Sequence, residues 1–260
     1  MFAATTHRSI GLAIAVSLLA VGCSTAESFK VYAPEWFGMQ RAADKLYIEA
    51  SAAPEQRRKL DPILRIAQQK VVTYFGGDAH AASAVVCACV TEECYAAFGG
   101  RGSRAKSFGA SHILLSPRGL TAPILAHELS HIELHGRVGI FRMRRVPSWF
   151  DEGLAVVTSE EPTHSEQQWQ TIVARGVPHP TLAELLTGDE WIDAVRKYGG
   201  EGDPKNPTTG LFVVYSTAGH EVRRWYGNAG QIGLSDLIAA VEDGRDFQSA
   251  YEAAEQLRAP

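Results

Sequence analysis

The chain of 260 residues contains no uninterrupted run of the roughly 18–20 apolar residues that a membrane-spanning helix needs, so no transmembrane helix is expected in the mature protein. It also lacks a strong excess of either charge. A net charge of −4 argues against a broad nucleic-acid-binding surface, and no nucleic-acid partner is expected. Cysteine is scarce, with 4 in all, and no CxxC pair or second cysteine cluster is present to build a thiolate zinc site. The glycine-rich, basic stretch GGRGSRAKSFG (99–109) lacks GxxxxGK[ST] spacing and does not open a helix, which excludes a phosphate loop and leaves a loop beside a strand. There is no internal repeat and no low-complexity tract. What remains is ordinary for a globular protein: 45% hydrophobic and 21% charged residues, enough to bury a core in one large domain or two intimate lobes.

The first residues carry one positive side chain besides His7 and no acid, and they precede an apolar run, Ile10 to Ala20. That run is too short to span a bilayer but suits the core of a signal peptide. It ends in LLAVGCST, which resembles the lipobox of bacterial lipoproteins, with Ala20 where leucine is commoner. The resemblance implies cleavage after residue 22, a lipid anchor on Cys23, and export to the cell envelope. Ser24 after the cysteine points to the periplasmic face of the outer membrane. An ordinary cleaved signal with an unmodified cysteine is the plainer alternative. In an exported chain, Cys87, Cys89 and Cys94 of CACVTEEC permit one disulfide and one free thiol. The expected bridge ends at Cys94, with its partner left open.

Local patterns give an α+β layout. A helix is expected around 39–50. A longer one should start at Asp61-Pro62, with apolar residues at helical spacing up to Tyr74 and a stop at Gly76-Gly77. SAVVCACV (83–90) and HILLS (112–116) read as strands, and TEECYAAF as a short helix capped by Thr91. From Thr121 onward nearly everything reads as helix, apart from a Gly/Pro/Asn-rich loop at 199–207. The domain plan is a signal peptide at 1–22 and one domain at 23–260. Within it a sheet-containing lobe runs to about 120, active-site helices cover 121–160, and a helical lobe covers 161–260.

TAPILAHELSHIELHG (121–136) carries the chemistry. Thr121 suits an N-cap, Pro123 the first turn and Gly136 a C-terminal stop. On a helix, His127 and His131 lie one above the other and can share one Zn²⁺. Glu128 is turned by about 100° from His127, placed to accept a proton from water without ligating the metal. Zinc requires a third protein ligand. The HExxHxxGxxH arrangement fails, because Leu134 and Arg137 occupy the glycine and third-histidine positions. His135 lies about 12 Å from His127 along the helix axis, too far to share an ion with it.

Downstream, VPSWFDEGLAVVTS (146–159) completes a pattern. HELSH followed by PSWFDEGLA resembles the gluzincin zinc metallopeptidases, specifically the peptidase-MA-like families with a later W-x-x-E-G-[LF]-A. The resemblance implies a zincin-like fold: a small mixed sheet, an active-site helix and a helical C-terminal lobe. It implies Glu152 as third zinc ligand beside His127 and His131, and Glu128 as catalytic base. Asp151 is the competing carboxylate. Trp149, Phe150 and Leu154 are expected to pack the second helix onto the first. HILLSPRGL looks like the strand that pairs with an extended substrate in zincins, and Tyr215 or His220 are candidates to stabilise an oxyanion. His112, His164 and His179 have no motif support. The reading is zinc-dependent hydrolysis of a peptide or protein substrate in the envelope. The rivals are a non-catalytic zinc-containing lipoprotein that binds or scaffolds, and a zinc amidase acting on cell-wall peptides.

Overall fold

A computed structural model of the protein describes residues 29–199 and 211–256. The signal-like segment, Cys23 and residues 200–207 of the expected loop lie outside the described residues.

Residues 39–50 form a hairpin where a helix was expected. Strands β1 (Met39–Ala43) and β2 (Leu46–Glu49) pair antiparallel across a turn at Asp44-Lys45. The reason is burial of period two: Leu46 and Ile48 face the core while Tyr47 and Glu49 do not. Helix α1 (Pro54–Phe75) begins two turns earlier than Asp61-Pro62. Pro54 takes the first helical position, and the Gln56 side chain accepts from the Ala53 backbone N–H at 2.8 Å. Pro62 is therefore interior, and Gly76, in the left-handed region, ends the helix as expected.

Strand β3 (Val85–Ala88) leads to helix α2 (Glu92–Ala97), whose Thr91 cap accepts from the Cys94 N–H. The glycine-rich stretch contains a further strand, β4 (Ala105–Phe108), where only a loop was expected. It pairs antiparallel with β5 (His112–Leu115), as Ala105 and Phe108 turn inward. The sheet order is β1-β2-β3-β5-β4, with β2, β3 and β5 parallel. Because β5 is paired on both sides, the strand expected to receive a substrate has no free edge. Among the described residues the free edge there belongs to β4.

Side chains alternate across this sheet. Val86, Ala88, Ile113 and Leu115 join the main core with α1 and with helix α3 (Ala122–Val138). Cys87, Leu114 and Phe108 face a smaller cluster with Val31, Tyr95 and Phe98. Helix α3 has the expected Thr121 cap but runs past Gly136 to a cap at Gly139. A Cβ at Gly136 would stand 2.2 Å from the His80 ring, so this glycine permits close packing and does not stop the helix. Buried Glu133 fixes α3 to the segment that follows α1. Its carboxylate accepts from the N–H groups of His80 (2.9 Å) and Ala81 (2.8 Å) and from Arg137 (2.7 Å).

The rest is helical, as expected: α4 (Ser148–Ser159), α5 (Glu166–Ala174), α6 (Gly188–Gly199), α7 (Leu211–Glu242, interrupted at Gly230) and α8 (Phe247–Gln256). The architecture is thus a mixed α+β fold, a five-stranded sheet with a C-terminal helical lobe. Trp149 and Phe150 stack edge-on against Phe247 and Tyr251, and Phe150 also meets Trp225. They therefore tie α4 to the C-terminal helices, while Trp149, Phe150 and Leu154 also share one core with Leu125, Leu129 and Ile132 of α3. Gly153 lets α7 approach: a Cβ there would lie 2.6 Å from the Ala218 carbonyl oxygen. No described helix is long and apolar enough to cross a membrane.

Cys89 and Cys94 form the disulfide, which selects the partner the sequence left open. Cys87 is a free, buried thiol whose pKa burial pushes up to about 12. Thiol counting under denaturing, non-reducing conditions should find one free cysteine among Cys87, Cys89 and Cys94, and peptide mapping should join 89 to 94. Three free thiols would contradict the pairing.

Candidate metal centre

The cluster starts from helix geometry. His127 and His131, four residues apart on α3, turn their Nε2 atoms toward each other at 3.3 Å. Helix α4 crosses beside them and delivers Glu152, whose Oε2 lies 3.3 Å from His127 Nε2 and 3.6 Å from His131 Nε2. Four-coordinate zinc with bonds of about 2.0–2.1 Å places its ligand atoms roughly 3.3 Å apart. The three separations match that spacing. They are also too long for strong hydrogen bonds, and Glu152 Oε2 is buried with no hydrogen-bond partner. A buried carboxylate oxygen left in this way is costly unless a cation meets it. His127, His131 and Glu152 are therefore a group that could hold a metal ion.

Asp151 takes a different place. Its Oδ1 is 2.6 Å from His131 Nδ1 and its Oδ2 is 2.8 Å from His135 Nε2. These are direct hydrogen bonds, and they leave no space for an ion between the atoms. Asp151 meets Nδ1 on the far side of the His131 ring and so turns Nε2 toward His127 and Glu152, where loss of the imidazolium proton would free a lone pair. His135, expected from the sequence to lie beyond reach of the ion as a supporting or surface residue, braces Asp151 from the next turn. A third group, Glu49 with Cys89 and Cys94, is no metal site, because both sulfurs are spent in the disulfide and Glu49 accepts from Val90, Thr91 and Ser51.

The electrostatics follow from burial. Desolvation works against the His131 imidazolium, but Asp151 and Glu152 outweigh it and hold its pKa well above the usual histidine value. Burial pushes Glu152 up, yet His131 and His127 bring it down to about 2. Asp151, for the same opposing reasons, lies far below the carboxylate range. Glu128 is half-buried and has no hydrogen bond or ion pair with another described residue. It is the one carboxylate on this face of α3 left free to handle a proton.

Tyr215 on α7 comes into the site, with its ring 6.0 Å from that of His127. Burial, then the charges of Glu152 and Glu128, push its phenol well above 10, so it remains a donor at neutral pH. His220 does not serve here: its Nδ1 is 3.0 Å from Glu166 and its ring stacks on Trp169. The residue that the sequence missed is His164. It is buried, stacks on Tyr215 at 5.3 Å, and is pushed by burial to about 4 despite Glu161. No spacing signal could have found it, since only the turn after α4 brings it there. Arg104, just before β4, donates to Glu161 at 2.8 Å and so ties the free sheet edge to the end of α4. His112 and His179 lie elsewhere, His112 against Tyr32 and His179 against Trp169.

No protein-family model matches the chain, and no curated protein matches it.

Two outcomes follow for metal binding. Because metal must displace the proton that Asp151 and Glu152 hold on His131, apparent zinc affinity should rise about tenfold per pH unit from pH 5.5 until the raised His131 pKa is passed. Competition with a chromophoric chelator reads this, and a flat profile would contradict it. Asp151→Ala should lower zinc affinity about 10–100-fold, while one ion per chain still binds at saturation. Loss of the stoichiometry itself would make Asp151 a ligand.

Proposed function

We propose that the chain is an envelope zinc peptidase of the gluzincin type, with His127, His131 and Glu152 holding the metal and Glu128 acting as base. The observation that carries this reading is the triangle of two histidine nitrogens and one unpartnered carboxylate oxygen at zinc spacing. The residues fit a zinc ion by charge and donor type, since two neutral imidazoles and one carboxylate leave a fourth position open. When bound there, zinc supplies a Lewis acid that lowers the pKa of water toward about 7. Glu128 would accept a proton from the attacking water on its carboxylate and hand it to the leaving amine. Tyr215, held protonated, donates a hydrogen bond to the carbonyl oxygen as it gains charge. The free edge of β4 offers backbone groups to an extended substrate. A purely structural zinc site would have no use for Glu128, which favours an enzyme over a scaffold. An amidase acting on cell-wall peptides would use the same side chains.

Separating metal binding from chemistry tests the reading. Glu128→Gln should keep about one zinc per chain and lose roughly 10²–10⁴-fold in cleavage of a peptide library. Glu152→Gln should lose zinc during dialysis against a weak chelator, and activity with it. Running purified cell wall beside the peptide library distinguishes amidase from peptidase. Full activity in Glu128→Gln would overturn the catalytic assignment.

A further inference from the structure

Helix α3 ends in a loop whose composition differs from the rest of the surface. Between Glu133 and Asp151 the chain has no acidic residue, in a protein of net charge −4. The loop GIFRMRR (139–145) exposes Phe141 to 91% and Ile140 to 59% of their surfaces. Arg142, Arg144 and Arg145 are exposed as well, and none has a side-chain hydrogen bond or ion pair with another described residue. These residues line a hollow of about 410 Å³ whose walls come from the loop alone. An exposed phenylalanine and isoleucine gain nothing from water, and three unpaired guanidinium groups gain little from one another. Both features are satisfied together at the surface of an anionic bilayer, where apolar side chains reach the acyl boundary and arginines bind phosphates.

The neighbourhood supports the same occupant. Ile140 lies against the turn between β4 and β5, since a Cβ at Gly109 would meet it at 3.9 Å. Three residues on, His112 carries the ring of Tyr32 at 4.3 Å, and exposed Phe29 packs on Tyr32 at 6.3 Å. Phe29 follows Cys23 by six residues in the sequence, so an anchor there could reach the same side of the molecule. We propose that the 139–145 loop is a membrane-docking surface, in which Phe141 and Ile140 enter the bilayer interface while Arg142, Arg144 and Arg145 bind anionic lipid headgroups. The inference rests on the reading of the chain as an exported envelope protein, but on no catalytic assignment. Its consequence is positional. His131 stands eight residues, about 12 Å, up the helix from Gly139, so the metal cluster would work on segments close to the bilayer.

The test uses a chain from Ser24 to Pro260, which carries no Cys23 and keeps every described contact. It should float with vesicles that contain roughly one third phosphatidylglycerol in phosphatidylcholine, and much less with phosphatidylcholine alone. About 0.5 M salt should release most of it. Arg142→Gln, Arg144→Gln and Arg145→Gln combined should weaken binding about a hundredfold, from roughly fivefold per arginine. Phe141→Ser with Ile140→Ser should weaken it at least about fivefold. Thermal melting and zinc content of these variants should match the parent, because the side chains are exposed and far from the cluster. No flotation, equal binding to both vesicles, or unchanged binding in both variants would overturn the proposal. Flotation without peptide cleavage would uphold it and remove the peptidase reading instead.

Discussion

The structure turns on one buried imidazole held from both sides. Asp151 and Glu152 are consecutive on α4 and thus about 100° apart, so one meets the Nδ1 side of His131 and the other its Nε2 side. Two adjacent, largely buried carboxylates repel each other and lose hydration, a cost of several kcal/mol per ion if nothing compensates. Asp151 is compensated by two histidines at hydrogen-bond distance. Glu152 is held charged by His131 and His127 too, but only across 3.3 and 3.6 Å, and its Oε2 has no hydrogen-bond partner. The difference between the two carboxylates is what separates a bracing residue from a candidate ligand. A protonated His131 balances the pair in part, and a divalent cation would balance it better.

Such a cluster persists only if α4 cannot retreat. The helix is pinned by Trp149 and Phe150 in an aromatic group with Trp225, Phe247 and Tyr251, and the indole N–H of Trp225 is satisfied by the Tyr251 carbonyl at 3.0 Å. Gly153 and Gly219 bring α4 and α7 into backbone contact, since a Cβ on either would overlap the partner helix. The glycine that follows Glu152 therefore has a packing reason of its own. On the other side, Arg137 holds α3 against the end of α1 and Glu133 holds it to the segment that follows. The two helices carrying the histidines and the carboxylates pack on each other, and each has a further anchor of its own.

How much of this was legible follows the range of the interactions involved. The four-residue spacing of His127 and His131 is a local property of one helix, and the sequence carries it in full. So are the Thr91 and Thr121 caps and the helical character of the second half. The PSWFDEGLA pattern pointed to Glu152, because a carboxylate at that position meets α3 once α4 packs. What failed was non-local or ambiguous in period. Residues 39–50 place their apolar side chains in a pattern that fits helix and hairpin alike until Leu46 and Ile48 find the sheet. Residues 105–108 become a strand only because β5 offers an edge. The expected stop at Gly136 misread a packing glycine as a cap, since His80 comes from 56 residues away in the chain. The role of Asp151 depends on which face of His131 it meets, and no single-chain pattern encodes that.

The segment just past α4 links the cluster to the sheet edge. Glu161 pairs with Arg104, which immediately precedes β4; burial alone would raise the Glu161 pKa, but Arg104 draws it below its ordinary value. Three residues later His164 stacks on Tyr215 and, with its pKa near 4, remains uncharged around neutrality. Trp191 meets the same phenol edge-on at 5.1 Å. A neutral histidine and an indole thus fix the tyrosine without adding charge beside His127. A charged imidazole in that position would repel any cation held by His127, so the burial of His164 is itself part of the electrostatics of the site. One short stretch, from the end of α4 to His164, thereby fixes both the free edge of β4 and the ring of Tyr215 relative to Glu152.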